Sequence, residues 1–360
     1  MLFTEKRIRR TRNVLISLLI ICITPVCEKG RLLSGAKADD VFAGQELVCA
    51  IDLGKDMRSG HWLETGFNYE LVRRFAQDNG CTVRIIATGS RDEAEYMDSL
   101  RCGKADIVIT HIEDGVIPEG VLASCAINEC SAWMTDDDNP REILEIRKWI
   151  RYYSETAEYE ALKERFHAAT SPVKRASQGV IAGNVSPYDS LIKAHAAKLG
   201  WDWRLLAAVI YQESKFSICS ESPRGAKGLM QVMPRNAAKY GIYDLTDPES
   251  NIIAGTTHLA KIQDRFKDIG FTHDEMIKFT LAAYNAGAGR ITDCRRLAAA
   301  QGLDNSKWEN VVKVIPMMRE DSILEEESVK LGKFHGHETI AYVENVMMIY
   351  RSICAICPKA

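Results

Sequence analysis

Glu213 is the residue around which chemistry can be built in this chain. It closes the run Trp203 to Tyr211 (WRLLAAVIY), whose apolar positions recur at helical spacing. Leu206, Val209 and Ile210 lie seven, four and three residues before it, offsets that share one face of a helix. A carboxyl group on that face is expected to be buried. Burial disfavours the charged form and raises a carboxylate's pKa. A glutamate that keeps its proton near neutral pH is what a general acid requires. The competing reading is a helix-terminal Glu that points into water.

The residues that follow carry the argument further. Glu213 to Pro234 reads ESKFSICSESPRGAKGLMQVMP. Asp247-Pro248 and Asn251-Ile252 then precede a helical pattern through Ala254, Gly255, Leu259 and Ile262, a stretch whose expected role is structural. Leu281 to Gly287 reads LAAYNAG, and Glu338 to Val343 reads ETIAYV. Taken singly, AYNAG would be a helix end with a glycine cap, and ETIAYV an ordinary core helix. In this order they closely resemble the lytic transglycosylases with a lysozyme-like fold, the soluble-transglycosylase catalytic domain. One departure lies in the loop after Phe216, where Ile218-Cys219-Ser220 replaces the family's usual Pro and small residue.

The resemblance implies roles residue by residue. Glu213 would be the catalytic acid and base. Ser222 would orient Glu213 and the sugar, and Met230 and Gln231 would line the saccharide groove. Tyr284 and Asn285 would face the groove, with Tyr342 close to the acid. The implied reaction cleaves the β-1,4 bond between N-acetylmuramic acid and N-acetylglucosamine in peptidoglycan glycan strands, without water, leaving 1,6-anhydro ends. A glycosidase normally needs two carboxylates. In this family one suffices, because the nucleophile is the substrate's own C6 hydroxyl. No metal or organic cofactor is implied. A hydrolytic muramidase on the same fold and a non-enzymatic glycan-binding or sensor protein are the alternatives.

The elements that must position these residues occupy the second half of a chain of 360 residues, long enough for two domains. The formal net charge is -3, and without residues 1–26, which carry five Lys and Arg against one Glu, it is -7. An acidic protein of this kind is no partner for nucleic acid, whose phosphates demand a basic surface. The basic stretch KRIRRTR precedes an apolar run, Val14 to Val26, that is short for a bilayer span. Residues 1–27 read as an export signal, with Cys27 as a lipidation candidate and plain secretion or a short anchor as alternatives. The expected location is the cell envelope, on the periplasmic side of the outer membrane. Of eleven cysteines, Cys354 and Cys357 form a lone CxxC with no second pair to complete a zinc site, so a structural or idle pair is expected.

Residues 28–46 read as a tether. From Leu47 to Thr110 the pattern is strand, helix, strand, helix, strand, which implies right-handed crossovers and a parallel sheet. Ala132 to Met134 is a returning strand and Arg141 to His167 a helical region. The runs GFNYELVRRFA and GKADIVIT make residues 47–168 resemble lobe one of the periplasmic solute-binding proteins that bind amino acids. The second lobe of that family is missing. Residues 105–140 contain no Arg or Lys but carry Asp106, Glu113, Asp114, Glu119, Glu129 and Asp136 to Asp138. That charge would repel an amino acid's carboxylate, so this lobe is expected to position the catalytic domain or to contact other cell-wall proteins. Residues 169–185 read as a linker and 186–360 as the catalytic domain. The expected fold class is α+β multidomain: an N-terminal α/β single lobe of periplasmic-binding-protein type, followed by an all-α-dominated lysozyme-like domain.

Overall fold

The computed structural model describes residues 41–53, 63–88, 93–112, 116–127, 131–138, 140–167, 171–324, 329–331 and 336–358. The expected signal over 1–27 with Cys27, most of the expected tether, and Glu113, Asp114 and Glu129 lie outside the described residues. The described residues form two compact units, the first from those of 41–167 together with Ser217–Glu221, the second from those of 171–216 and 222–358.

The first unit is built on a five-stranded mixed sheet. Its elements are β1 (Glu46–Asp52), α1 (Glu64–Asp78), β2 (Thr82–Thr88), α2 (Glu93–Arg101), β3 (Ile107–His111), β4 (Val121–Ala123), β5 (Ser131–Asp136), α3 (Pro140–Tyr153) and α4 (Ala157–His167). The strand order is β2-β1-β3-β5-β4. The β1 strand pairs in parallel with β2 and β3, whereas β5 runs antiparallel to both β3 and β4. The sheet is therefore parallel only over its first three strands. Strand β4 has three residues, too few for alternation to show in the sequence. The stripe Phe67, Leu71, Val72 and Phe75 of α1 is buried. Phe75 meets Trp133 and Trp149 edge-on, at 5.6 and 5.3 Å between ring centroids. The indole of Trp133 donates to Asn68 at 3.2 Å, which satisfies the polar end of a fully buried ring.

One expectation is corrected here. The end of the expected tether belongs to the sheet's own packing, because Phe42 is buried against Phe75 at 5.1 Å. The expected helical region over 141–167 is the pair α3 and α4, separated by a turn in which Thr156 Oγ1 donates to the carbonyl of Tyr153 at 2.7 Å.

The second unit is helical: α5 (Pro172–Ser177), α6 (Asp189–Leu199), α7 (Trp203–Ser214), α8 (Pro234–Ala238), α9 (Pro248–Phe266), α10 (His273–Ala286), α11 (Ala288–Ala300), α12 (Trp308–Val314), α13 (Asp321–Leu324) and α14 (His337–Ile356). Part of the expected linker proves to be structured. Ser171 caps α5, the buried Arg175 donates to the carbonyl of Asn184, and Ala182 N–H bonds the carbonyl of Ile356 at 2.7 Å. This strap belongs to the helical unit. Small and polar residues gave it the composition of a linker, but composition is silent about backbone pairing 174 residues away in sequence.

Helix α7 is the central element. Asp202 caps it, accepting from Arg204 N–H at 3.0 Å and pairing with the Arg204 guanidinium at 2.6 Å. That pairing holds the Asp202 carboxyl down at about 2. Leu206, Ala207, Ala208, Val209 and Ile210 are all fully buried, and α7 packs against α14 and α6. No disulfide joins the eight cysteines among the described residues, Cys354 and Cys357 included. Among the described residues no helix is long and apolar enough to cross a membrane.

Candidate active site

Glu213 sits on the last turn of α7, one residue before the helix ends in two left-handed residues, Lys215 (φ 55°) and Phe216 (φ 68°). Non-glycine residues rarely adopt that conformation, and two in succession are held only where the surroundings over-determine them. Here Phe216 is buried against Tyr211, and the Lys215 ammonium lies 4.3 Å over the Tyr211 ring. The sharp stop leaves the Glu213 carboxyl at the wall of a groove of about 1030 Å³.

The carboxyl has the properties its sequence position predicts. Desolvation pushes it up from 4.5 to about 7, against the opposing pull of a hydrogen bond from Tyr342 and of the nearby Lys215. Tyr342 Oη donates to Glu213 Oε1 at 2.6 Å. Burial, and then the charge of Glu213, hold the Tyr342 phenol well above its ordinary pKa, so it remains a donor. Tyr342 and Thr339 are three apart on α14 and share a face. Thr339 Oγ1 donates to Asn285 Oδ1 at 2.9 Å, so one helix face fixes both the acid and a groove amide.

The stretch Lys227–Val232 forms the facing loop. Lys227 and Val232 exchange backbone hydrogen bonds at 3.0 Å each, closing a tight turn. Asn251, fully buried on α9, organises it: its Oδ1 accepts from Met230 N–H at 2.8 Å, and its Nδ2 donates to the carbonyls of Lys227 and Leu245 at 2.9 Å each. Gly228 has φ +73°, and a Cβ there would collide with Asn251, so the turn requires glycine twice over. Tyr284 Oη donates to the Met230 carbonyl at 2.8 Å and thereby joins α10 to this loop.

Of the residues expected at the site, the structure brings Glu213, Ser222, Gln231, Tyr284 and Asn285 together on the groove wall. Ser222 closes its own loop, its Oγ accepting from Ala226 N–H at 3.0 Å. Gln231 has φ +48°, and its Nε2 donates to the carbonyl of Gly228 at 3.0 Å. Tyr342 is buried and reaches the groove through Glu213. Met230 differs from the expectation of saccharide contact. Its side chain is fully buried against Gly255, where a Cβ would collide with it, and its backbone takes part instead, the N–H bonding Asn251 and the carbonyl accepting from Tyr284. An apolar residue beside a groove gains more by filling the gap over a glycine than by facing water.

Sequence reasoning missed Lys215, whose ammonium lies near the acid, and the pair Tyr240 and His258. Tyr240 Oη meets His258 Nδ1 at 3.1 Å, and His258 packs on Tyr284 at 5.5 Å. Burial, then Lys239 and Lys261, lower the His258 pKa, so the ring is neutral near pH 7. His258 and Lys261 are three apart on α9, a spacing visible in the sequence but without meaning until the groove is known. Among the described residues no His, Cys, Asp and Glu group is placed to hold a metal. The arrangement is that of a carboxyl able to give and to take a proton, set in a groove of mixed polar and apolar character.

The helical unit thus presents one carboxyl of raised pKa at the wall of a groove. Residues 190–306 match the family model of the Transglycosylase SLT domain. Thr339 and Tyr342 lie beyond the matched residues. The chain is similar to the membrane-bound lytic murein transglycosylase F of Desulfosudis oleivorans, with 32% identity over 224 residues, covering 61% of this chain and 48% of the relative. The protein of the same name from Photobacterium profundum is 29% identical over 276 residues, covering 73% of this chain and 52% of the relative. The chain thus spans about half the length of the curated relatives it matches. Among solved structures, the 70 kDa soluble lytic transglycosylase of Escherichia coli aligns with a TM-score of 0.33 and 22% identity, over 59% of this chain and 34% of that one.

Proposed function

We propose that this protein is a peptidoglycan lytic transglycosylase in which Glu213 is the sole acid and base. The observation that carries the reading is the Glu213 carboxyl itself: in the groove wall, pushed to about 7 and anchored through Oε1 by Tyr342. Among the described residues lining the groove it is the one Asp or Glu, which favours a reaction in which the second carboxylate of an ordinary glycosidase is unnecessary. The match to the transglycosylase SLT domain and the names of the relatives support the same substrate.

The steps balance on one residue. Protonated Glu213 gives its proton to the glycosidic oxygen, and the C1–O bond of the muramyl sugar breaks. The carboxylate so formed takes the proton of that sugar's C6 hydroxyl as O6 bonds to C1. The glutamate is back in its protonated form and no water is consumed. Because Oε1 is engaged by Tyr342, Oε2 is the oxygen that carries the proton. Ser222, Gln231, Tyr284 and Asn285 hold the saccharide, and Met230 supports the loop from beneath.

Export through residues 1–27, lipid on Cys27 and residence at the periplasmic face of the outer membrane complete this reading. They rest on the basic and apolar order of the leader and on the words membrane-bound in the relatives' names. The first unit would be a one-lobed relative of solute-binding proteins, a reading favoured by its three parallel strands with crossover helices. It would serve as a contact for other cell-wall proteins. The decisive experiment is digestion of isolated sacculi with mass analysis of the products. Anhydro ends, lighter by one water than reducing ends, are expected from the wild type and are lost in Glu213→Gln; reducing ends alone would make the enzyme a hydrolase.

A further inference from the structure

Cys354 and Cys357 sit where three segments of the helical unit meet. Cys354 lies on the last turn of α14, and Cys357 is the residue at which that helix stops, with φ -134° and ψ 76°. The carbonyl of Ile356, between them, accepts from Ala182 N–H of the strap at 2.7 Å. The carbonyl of Cys357 accepts from Arg204 Nη1 at 3.0 Å, at the start of α7. Tyr350, one turn before Cys354, donates to Asp202 at 3.3 Å. Both cysteines are half-buried. Cys49 and Cys294 differ: they are buried, and burial above all pushes their thiols up, which leaves them inert.

A buried guanidinium stands by the pair. Arg175 is 8% exposed. Its Nη2 donates to the carbonyl of Asn184 at 3.0 Å, but its buried Nη1 has no hydrogen-bond partner among the described residues. Burial lowers the pKa of Arg175, and the two groups that oppose this are Asp189 and Cys357. Asp189 is already engaged: Oδ2 accepts from Val185 N–H at 2.8 Å, and Oδ1 from the N–H and Oγ of Ser186 at 2.8 and 2.7 Å. Cys357 is the group left for a donor that is costly to leave unmatched. The spacing is suited to exchange more than to stapling. A bridge across two residues closes too short a loop to constrain the unfolded chain much. Residues three apart on a helix have Cβ atoms about 5–6 Å apart, and the departure of Cys357 from helical backbone allows the approach to about 4 Å that a disulfide needs.

We propose that Cys354 and Cys357 form a thiol–disulfide exchange site for an external disulfide, in which Arg175 Nη1 donates to the Cys357 sulfur while it bears negative charge. The site is separate from glycan cleavage and does not depend on it. Cys357, as its thiolate, attacks one sulfur of the incoming disulfide; that S–S bond breaks and one thiolate leaves. Cys354, deprotonated in turn, attacks the Cys357 sulfur, and the second thiolate leaves. The two protons lost by the cysteines end on the two leaving thiolates. Two protein thiols are oxidised and one external disulfide is reduced to two thiols. The disulfide is that of a small thiol such as glutathione or of a thioredoxin-type protein.

The test uses the full chain, reduced, freed of reductant and exposed in separate arms to oxidised glutathione and to an oxidised thioredoxin-type protein. Alkylation followed by peptide mass analysis gives the state of each cysteine. Cys354 and Cys357 should leave the alkylatable pool together, their shared peptide lighter by two hydrogens, and the arm that reacts names the source. Cys354→Ser should trap a mixed disulfide on Cys357, about tenfold faster than Cys357→Ser traps one on Cys354. Adding Arg175→Met to Cys354→Ser should slow trapping about tenfold, the loss expected for one charge-assisted hydrogen bond, and Arg175→Lys should restore part of it. Melting curves show which Arg175 variants fold, and the comparison of the two Ser variants needs no change at Arg175. Thiols that stay fully alkylatable in both arms, equal trapping rates in the two Ser variants, or a folded Arg175→Met protein that traps at the parent rate would each overturn the proposal.

Discussion

Glu213→Gln should make the protein more stable above neutral pH. In the folded protein the carboxyl ionises near 7, against 4.5 for a free glutamate, because burial penalises its charge. Below 4.5 it is protonated in both folded and unfolded chains and contributes no penalty. As pH rises towards 7 the unfolded chain gives up its proton while the folded one keeps it, and stability falls across that window. Above 7 the folded protein holds a desolvated charge at a cost of about 3 kcal/mol. Gln has the same shape and still accepts from Tyr342, so the substitution removes the charge and little else. For a unit of this size the gain corresponds to a melting temperature about 6–12 °C higher at pH 8. Thermal melts of wild type and variant from pH 4 to 8.5 provide the assay. The curves should coincide near pH 4 and separate progressively. Equal melting at pH 8, or a less stable variant, would refute the claim that burial sets the Glu213 pKa.

Three further predictions concern the acid, its loop and the first unit. Tyr342→Phe removes a donor that favours the ionised carboxylate, so the pKa of Glu213 rises. The descending limb of kcat/KM against pH should move up by about one unit while the plateau falls; a limb that stays or moves down would show that Tyr342 is packing only. Asn251→Ala strips three hydrogen bonds from a buried turn and should cost about 3–5 kcal/mol in denaturant unfolding, with a loss below about 1 kcal/mol assigning the turn's integrity to Gly228 instead. Calorimetry of the full chain against a panel of free amino acids should give no saturable heat, since the first unit's third to fifth strands bring Asp106 and Asp136 but no Arg or Lys; micromolar binding of any of them would reverse that reading.

Much of the active helix is visible in the sequence, because burial of Leu206, Val209 and Ile210 follows from spacing alone. The buried face then dictates the environment of Glu213. The partners of that residue are another matter. Tyr342 lies 129 residues away, and no local period links the two; only the order of motifs does. Met230 shows the limit from the other side. It lies within the motif, but its position is decided by a glycine on α9 that leaves room for one thioether. Strand β4 escaped because three residues cannot declare a period, and the strap over α5 because its backbone bonds join segments far apart in the chain.

The hydrogen bond from α14 to α7 also orders events in time. A chain made amino end first presents Glu213 well before α14 exists outside the ribosome. Until that last long helix docks, α7 lacks the neighbour that buries its face, the carboxyl is hydrated like any surface glutamate, and Thr339 and Tyr342 are not there to hold the groove. The raised pKa of Glu213 and the bracing of the groove therefore arrive with the completed fold, and trimming from the carboxyl end would remove them first.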